Sequence, residues 1–386
     1  MTRTYNAIST DGHLEVPATD YTPYVAEIHR DRAPKLVRTA EGGDSWLIEG
    51  SPLQHTASNL TAGQQIKRRM SHLLPDGSRF PGTGGGLQRL REQDQDGIDA
   101  EVLFPPIFAS IGLAGISDTN AYLAIVEGYN RFLGEEFCPV APDRLLATGA
   151  IPERGVEGAI AELRRCKEMG LKAVVLTSFP NGGLVASPED DPFWEEALAL
   201  NMPVTSHIYF GAPYPPTVAG PQPGAPVDAI ALTSRQATLR PMWTVAQLMV
   251  TGVFDRFPDL KLYFAETNAS WLPIALQQLD ENYKLYEHFY AKKLQKLPSE
   301  YVKEHVYFTF IQDLAVTKMF DLVPTDNLMW GTDFPHSVTS FPNSQIWLKE
   351  AFDSVDPALK RKILVENPAK FFHLDPNASI TETPAS

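Results

Sequence analysis

The residues richest in chemistry come early: Asp11-Gly12-His13-Leu14-Glu15 alternates a carboxylate, an imidazole and a carboxylate. On a strand such alternation puts all three on one face. Burying three polar side chains without partners costs several kcal/mol, whereas a divalent cation satisfies imidazole and carboxylate together. Further along, His207 closes the run Met202-Pro-Val-Thr-Ser, Glu266 follows Leu262-Tyr-Phe-Ala, and Asp333 follows Leu328-Met-Trp-Gly-Thr. Each has a plainer reading on its own. Asp11 to Glu15 could be a strand end reaching solvent, His207 a hydrogen-bonded core residue, and Glu266 and Asp333 helix N-caps.

The elements that must hold these residues read as an alternation of short β-like runs with amphipathic stretches, the mark of βα units and a parallel sheet. Eight runs can be counted, at residues 6–10, 98–104, 145–151, 172–177, 203–207, 261–265, 306–310 and 328–330. Between them, residues 158–170 carry apolar side chains at helical spacing and stop at a glycine, and a longer helix is expected from Trp271. The expectation is an α/β fold, a (β/α)8 TIM barrel, as a single domain over residues 1–375 with 376–386 a disordered tail. A doubly wound sheet is disfavoured because no G-x-G-x-x-G follows the first strand. Two segments break the rhythm. Residues 35–90 form an insertion that reads as too Gly-rich for regular elements, and residues 211–227 are rich in Pro and Gly. Both follow the carboxyl end of a strand, so both are expected to be lids over the C-terminal face.

His13, Glu15, His207, Glu266 and Asp333 all fall at the carboxyl ends of expected barrel strands, where catalytic residues of this fold collect. One shared metal accounts for them more economically than five separate structural roles. Composition fits a small-molecule enzyme: 33 basic against 47 acidic side chains leave a net charge of −14, which argues against a nucleic-acid partner. The N-terminus lacks a signal-peptide core and no apolar stretch is long enough for a membrane helix, so a cytoplasmic protein without membrane contact is expected. Cys138 and Cys166 are the sole cysteines and read as core thiols.

Six stretches carry a resemblance: 11–16 (DGHLEV), 93–106, 137–153, 252–274, 331–336 (GTDFPH) and 366–373. The chain resembles the amidohydrolase superfamily, in the branch of aminocarboxymuconate-semialdehyde and dihydroxybenzoate-type decarboxylases. The resemblance implies that His13 and Glu15 ligate a divalent metal with His207 and Asp333 completing the site. Glu15 stands where the family usually has His. Some decarboxylases of the branch have a substrate-contacting His where this chain has Glu266. Leu176-Thr177-Ser178 offers no Lys to bridge two metals.

The ligand set, with Asp11 and Glu266 as further candidates, is carboxylate-rich, so manganese or iron stand beside zinc. A mononuclear site is favoured, with a dinuclear one as the alternative. Asp333, His207 and Glu266 are the catalytic candidates. His336, Tyr209 and His72 are candidates for contacting the substrate or supporting the ligands, and His55, Arg68, Arg69 and Arg79 are weaker ones in the first insertion. The expected activity is that of a metal-dependent lyase or hydrolase on a small carboxylated or cyclic molecule, with non-oxidative decarboxylation ahead. Two rivals are a dinuclear iron or manganese oxygenase and a catalytically silent partner subunit of an active homologue. The apolar helix after Glu266 suggests a homo- or hetero-oligomer with a related barrel.

Overall fold

In a computed structural model of the protein, the described residues are 3–38, 40, 43–53, 60–64, 71–106, 115–208, 210–211, 240–286 and 293–384. The chain opens with β1 (Ile8–His13), then lays down a small antiparallel sheet of β2 (Lys35–Arg38), β3 (Asp44–Ile48) and β4 (Ser51–Leu53). The main sheet continues with β5 (Ala100–Phe104), β6 (Leu145–Ala150), β7 (Ala173–Leu176) and β8 (Val204–His207). It ends with β9 (Leu262–Ala265), β10 (Val306–Phe310) and β11 (Leu328–Trp330). All eight expected barrel strands are there, in the order β1-β5-β6-β7-β8-β9-β10-β11, each neighbouring pair parallel.

The sheet curls until its first strand meets its last. Asp333 N–H donates to Asp11 O at 2.7 Å, His13 N–H donates to Phe334 O at 2.7 Å, and Gly12 bridges Phe334 in parallel. Glycine is required at this seam: a Cβ on Gly331 would stand 2.4 Å from Asp11 Cβ. The absence of that carbon lets the end of β11 lie directly against β1. Inside the barrel, Tyr263 Oη donates to Thr10 O at 2.7 Å and meets Thr309 Oγ1, tying three strands across the axis.

Helices cover the outside because their apolar residues recur at helical spacing. Val156–Glu168 buries Ala159, Leu163 and Cys166. It ends where Gly170, at φ 80°, lets Leu171 N–H reach Cys166 O at 3.0 Å. Leu272–Tyr286 is the longer helix expected after Glu266. Cys138 and Cys166 are both free and buried. No described helix is long and apolar enough to cross a membrane.

Two expectations need correction. The first insertion is not devoid of regular structure: Asp44-Ser-Trp-Leu-Ile alternates well enough to form the central strand of a sheet, burying Trp46, and a helix runs over Gly86–Asp96. The glycines near 84–86 serve the start of that helix. The residues beyond 375 do not hang free either. Ile380 is buried and donates its N–H to Arg3 O at 3.1 Å, and Arg144 Nη1 donates to Thr383 Oγ1 at 2.9 Å. A short polar tail has little to bury, yet one isoleucine and the buried Arg144 anchor it.

Part of the first insertion packs at the carboxyl ends of β1 and β11. Leu60, Ala62 and Phe80 form a small buried cluster with Phe334 and Phe341, and Gly82 O accepts from Glu15 N–H at 3.3 Å. Residues 212–239, most of the second expected lid, lie outside the described residues.

Candidate metal centre

The parallel register sets the ends of neighbouring strands level, with His13 beside Phe104 and His207 beside Ala265. Side chains at those ends therefore converge at one rim. Asp11, His13, His207 and Asp333 each offer a ligand atom, and these atoms lie within 4.8 Å of one another. His13 Nε2 is 3.3 Å from Asp333 Oδ1 and 3.8 Å from Asp11 Oδ1, and His207 Nε2 is 3.8 Å from Asp11 Oδ1. Glu266 joins the edge of this group, its Oε2 3.4 Å from His207 Nε2.

The backbone is bent to present these groups. Ile208, Glu266 and Asp333 have φ of 66°, 53° and 55°. Positive φ is uncommon for residues with a Cβ and costs on the order of 1–3 kcal/mol each, strain that concentrates at functional sites. Beneath the rim, buried Arg89 donates to His13 O, pairs with Glu101 at 3.3 Å and stacks over the Phe334 ring at 4.7 Å. That network holds the end of β1 in place.

The electrostatics match a cation. Both Asp11 carboxylate oxygens, both His13 ring nitrogens and Asp333 Oδ1 are buried without a well-aligned hydrogen bond among the described residues. Burial, then the charges of Asp333 and Glu266, raises the Asp11 carboxyl well above its usual range. Burial lowers the His13 imidazole, helped by the charge of His336. Buried carboxylates that repel one another beside a neutral imidazole are what a divalent ion relieves. The residues present fit such an ion.

A second group adjoins the first. His336 Nε2 lies 3.1 Å from Glu15 Oε1, its Nδ1 lies 3.0 Å from Asp333 Oδ1, and its ring stacks on His13 with centroids 3.7 Å apart. Burial works against charge on His336, but Asp333 and Glu15 outweigh it and push its titration well up. Burial likewise opposes ionisation of Asp333 and Glu15. His336 and His13 outweigh it at Asp333, and His336 chiefly at Glu15, so both carboxyls sit below their usual range.

The structure thus gathers His13, His207 and Asp333 as expected, and with them Asp11, while Glu15 sits with His336 rather than in the four-residue group. His72 is fully buried in the insertion, 3.4 Å from Asp44 Oδ2. Arg79 pairs with Asp20 at 2.6 Å, away from this group. Tyr209, His55, Arg68 and Arg69 lie outside the described residues. Sequence reasoning missed Arg89, Glu101 and Phe104, the last of which packs its ring 6.1 Å from His13 and 5.3 Å from His207. Charged residues inside the apolar run at 98–104, Asp99 and Glu101, were the one available signal.

Residues 72–374 match the family model described as Amidohydrolase. The chain belongs to the amidohydrolase family. Among curated relatives, the gamma-resorcylate decarboxylase of Rhizobium sp. (strain MTP-10005) is 25% identical over 308 residues, 74% of this chain and 86% of that protein. Solved structures agree in fold. An amidohydrolase from Mycobacterium avium subsp. paratuberculosis K-10 superposes with a TM-score of 0.73 at 17% identity, covering 95% of this chain and 99% of the other. The 5-carboxyvanillate decarboxylase of Novosphingobium aromaticivorans DSM 12444, complexed with manganese and 4-hydroxy-3-methoxy-5-nitrobenzoic acid, gives 0.63 at 18% identity, with 96% of each chain covered.

Proposed function

We propose that this amidohydrolase is a metal-dependent decarboxylase that removes carbon dioxide from a small carboxylated aromatic acid without oxidation. The observation that carries the reading is the convergence of Asp11, His13, His207 and Asp333 at one rim of the barrel, where buried oxygens of Asp11 and Asp333 and the ring nitrogens of His13 lack aligned partners among the described residues. The decarboxylase relatives favour this reaction over hydrolysis.

Asp11, His13, His207 and Asp333 would hold one divalent cation, with manganese the first choice because the set is half carboxylate and a structural relative holds that metal. When bound, such an ion supplies a Lewis acid that draws an acidic substrate in and stabilises negative charge developing on it. A mononuclear centre is favoured. A second ion would share His13 and would have to part Glu15 from His336, which now lie 3.1 Å apart.

The protein's own groups handle the proton. The ring carbon bearing the carboxylate must gain a proton, after which the bond to the carboxyl carbon breaks and its electron pair returns to the ring. Asp333 sits at the centre and His336 Nδ1 lies 3.0 Å behind it, so the imidazolium of His336 holds a proton and the Asp333 carboxylate passes it forward. Glu15 on the far nitrogen of His336 fixes the ring in that orientation. Phe104 gives the rim an apolar wall that suits an aromatic ring.

The test is to load the full chain with manganese and incubate it with 2,6-dihydroxybenzoate and 5-carboxyvanillate, measuring carbon dioxide and the decarboxylated phenol together. Stoichiometric release of both from at least one acid supports the reading. Metal-loaded protein that releases neither from any acid in a broader panel of hydroxybenzoates contradicts it.

A further inference from the structure

Just past Phe104, whose ring packs against His13 and His207, three successive strand ends and two helices enclose a cavity of about 30 Å³. Its walls are largely apolar: Pro105 and Pro106 follow directly from Phe104 at the end of β5, and Val175 lies on β7. Three polar groups interrupt them. Tyr21 closes the short helix Ala18–Tyr21, Tyr129 lies on the helix Thr119–Phe132, and Glu153 follows β6. The two tyrosine rings meet edge to face at 5.4 Å, and both residues are at most 3% exposed.

What distinguishes this cavity is the state of those polar atoms. Tyr21 Oη, Tyr129 Oη and Glu153 Oε1 are buried with no hydrogen-bond partner among the described residues. Tyr122, next to them, has its hydroxyl engaged by Glu153 N–H at 3.0 Å. A buried polar atom without a partner carries a penalty of roughly 1–3 kcal/mol, and three around one apolar hollow form an arrangement that folding alone does not favour. Burial keeps both phenols protonated, so each remains an O–H donor. Burial also raises the Glu153 carboxyl to about 7 against an opposing hydrogen bond from Ser178.

We propose that this cavity is a distal subsite of the metal-centred pocket, taking a neutral hydroxyl-bearing substituent of the substrate ring, with the Tyr21 and Tyr129 phenols and the Glu153 carboxyl as its hydrogen-bond partners. The assignment rests on the decarboxylase reading and narrows its substrate class. Size decides part of it: a volume of this order holds about two water-sized groups, so the substituent has one or two heavy atoms beyond the ring. Charge decides the rest. A carboxylate would face Glu153 and no buried cation, while a methyl group would fit yet leave the three polar atoms unpaired. A hydroxyl donates to Glu153 Oε1 and accepts from a tyrosine.

The experiment measures binding of 2-hydroxybenzoates that carry hydroxymethyl, methyl or carboxylate at ring position 4 or 5, by titration calorimetry on manganese-treated full chain. In the wild type the hydroxymethyl probe should bind at least about tenfold more tightly than its methyl counterpart in one positional series, and the carboxylate probe more weakly than either. Tyr129→Phe and Glu153→Gln should each cut the hydroxymethyl preference to less than about threefold, with the methyl probe bound as well as before. Tyr129→Phe should melt no lower than the wild type, because it deletes an unpaired hydroxyl; a hydroxyl with a purely structural role would lower the melting point. Equal affinity for the two probes in the wild type, or a preference that survives both substitutions, overturns the subsite. Metal analysis of the same samples separates the two ideas. Bound manganese with equal affinities sinks the subsite alone, whereas wild-type protein that takes up no manganese sinks the metal centre, and the same probe pair on metal-free protein then decides the subsite.

Discussion

The Nε2 of His336 lies 3.1 Å from Oε1 of Glu15, and this contact sets Glu15 beside the group of Asp11, His13, His207 and Asp333 rather than within it. His336 stands between two buried carboxylates, with Asp333 on its other nitrogen. His336→Ala therefore leaves both without their shared partner. Loss of one member of a buried charge pair typically costs about 3–5 kcal/mol, so urea unfolding of metal-free protein should show a loss of that order. A double variant, His336→Leu with Glu15→Leu, should recover part of it. Equal stability of His336→Ala and wild type would mean that the contact carries no energy.

Asp11 and Glu15 separate by metal content. Asp11→Asn removes a group whose two oxygens have no aligned partner among the described residues, so manganese affinity should fall by more than about 100-fold. Glu15→Gln should retain close to one equivalent of manganese while losing on the order of 10–100-fold in turnover, as supporting groups around a metal do. Equilibrium dialysis and steady-state rates on the two variants check this, and the reverse ordering would restore Glu15 as a ligand.

Glu153 gives stability a pH dependence of known sign. Its carboxyl titrates at 4.5 when unperturbed and at about 7 in the fold because burial disfavours the charge. Between those values the native state binds more protons than the unfolded chain, so this contribution is present below about pH 4.5 and is lost as pH rises through 7. Glu153→Gln cannot ionise. It should match the wild type at pH 4 and gain on it by up to about 3 kcal/mol at pH 8, compared by urea unfolding at both pH values.

Chelation should loosen the fold. An ion bound by the native state and not by the unfolded chain stabilises by about 2.7 kcal/mol at a hundred times its dissociation constant. EDTA should lower the melting midpoint by several degrees and manganese should restore it. In Asp11→Asn neither treatment should move the midpoint.

Much of the barrel was legible in the sequence because parallel strands buried on both faces read as apolar runs, and each of the eight runs became a strand. The carboxyl-end rule then located His13, His207 and Asp333 within one group. Alternation could place Asp11, His13 and Glu15 on one face of a strand, but it could not say which two join His207 and Asp333. β1 ends at His13, so Glu15 lies beyond the strand, where the direction of a side chain is set by the Gly82 and Phe334 backbone contacts rather than by the pleat. Arg89 was hidden for a related reason. Its role depends on a helix packing back onto β1 across 76 residues, and an arginine in a polar helix gives no sign of being buried. The small sheet in the insertion was masked by flanking glycines, although Trp46 marks its buried face.

The most direct test is anomalous diffraction at the manganese edge from crystals of manganese-loaded protein. One strong peak within coordination distance of Asp11, His13, His207 and Asp333 is the predicted result. No peak at that rim, or one held by Glu15 and His336 with Asp11 and His207 uninvolved, would contradict it.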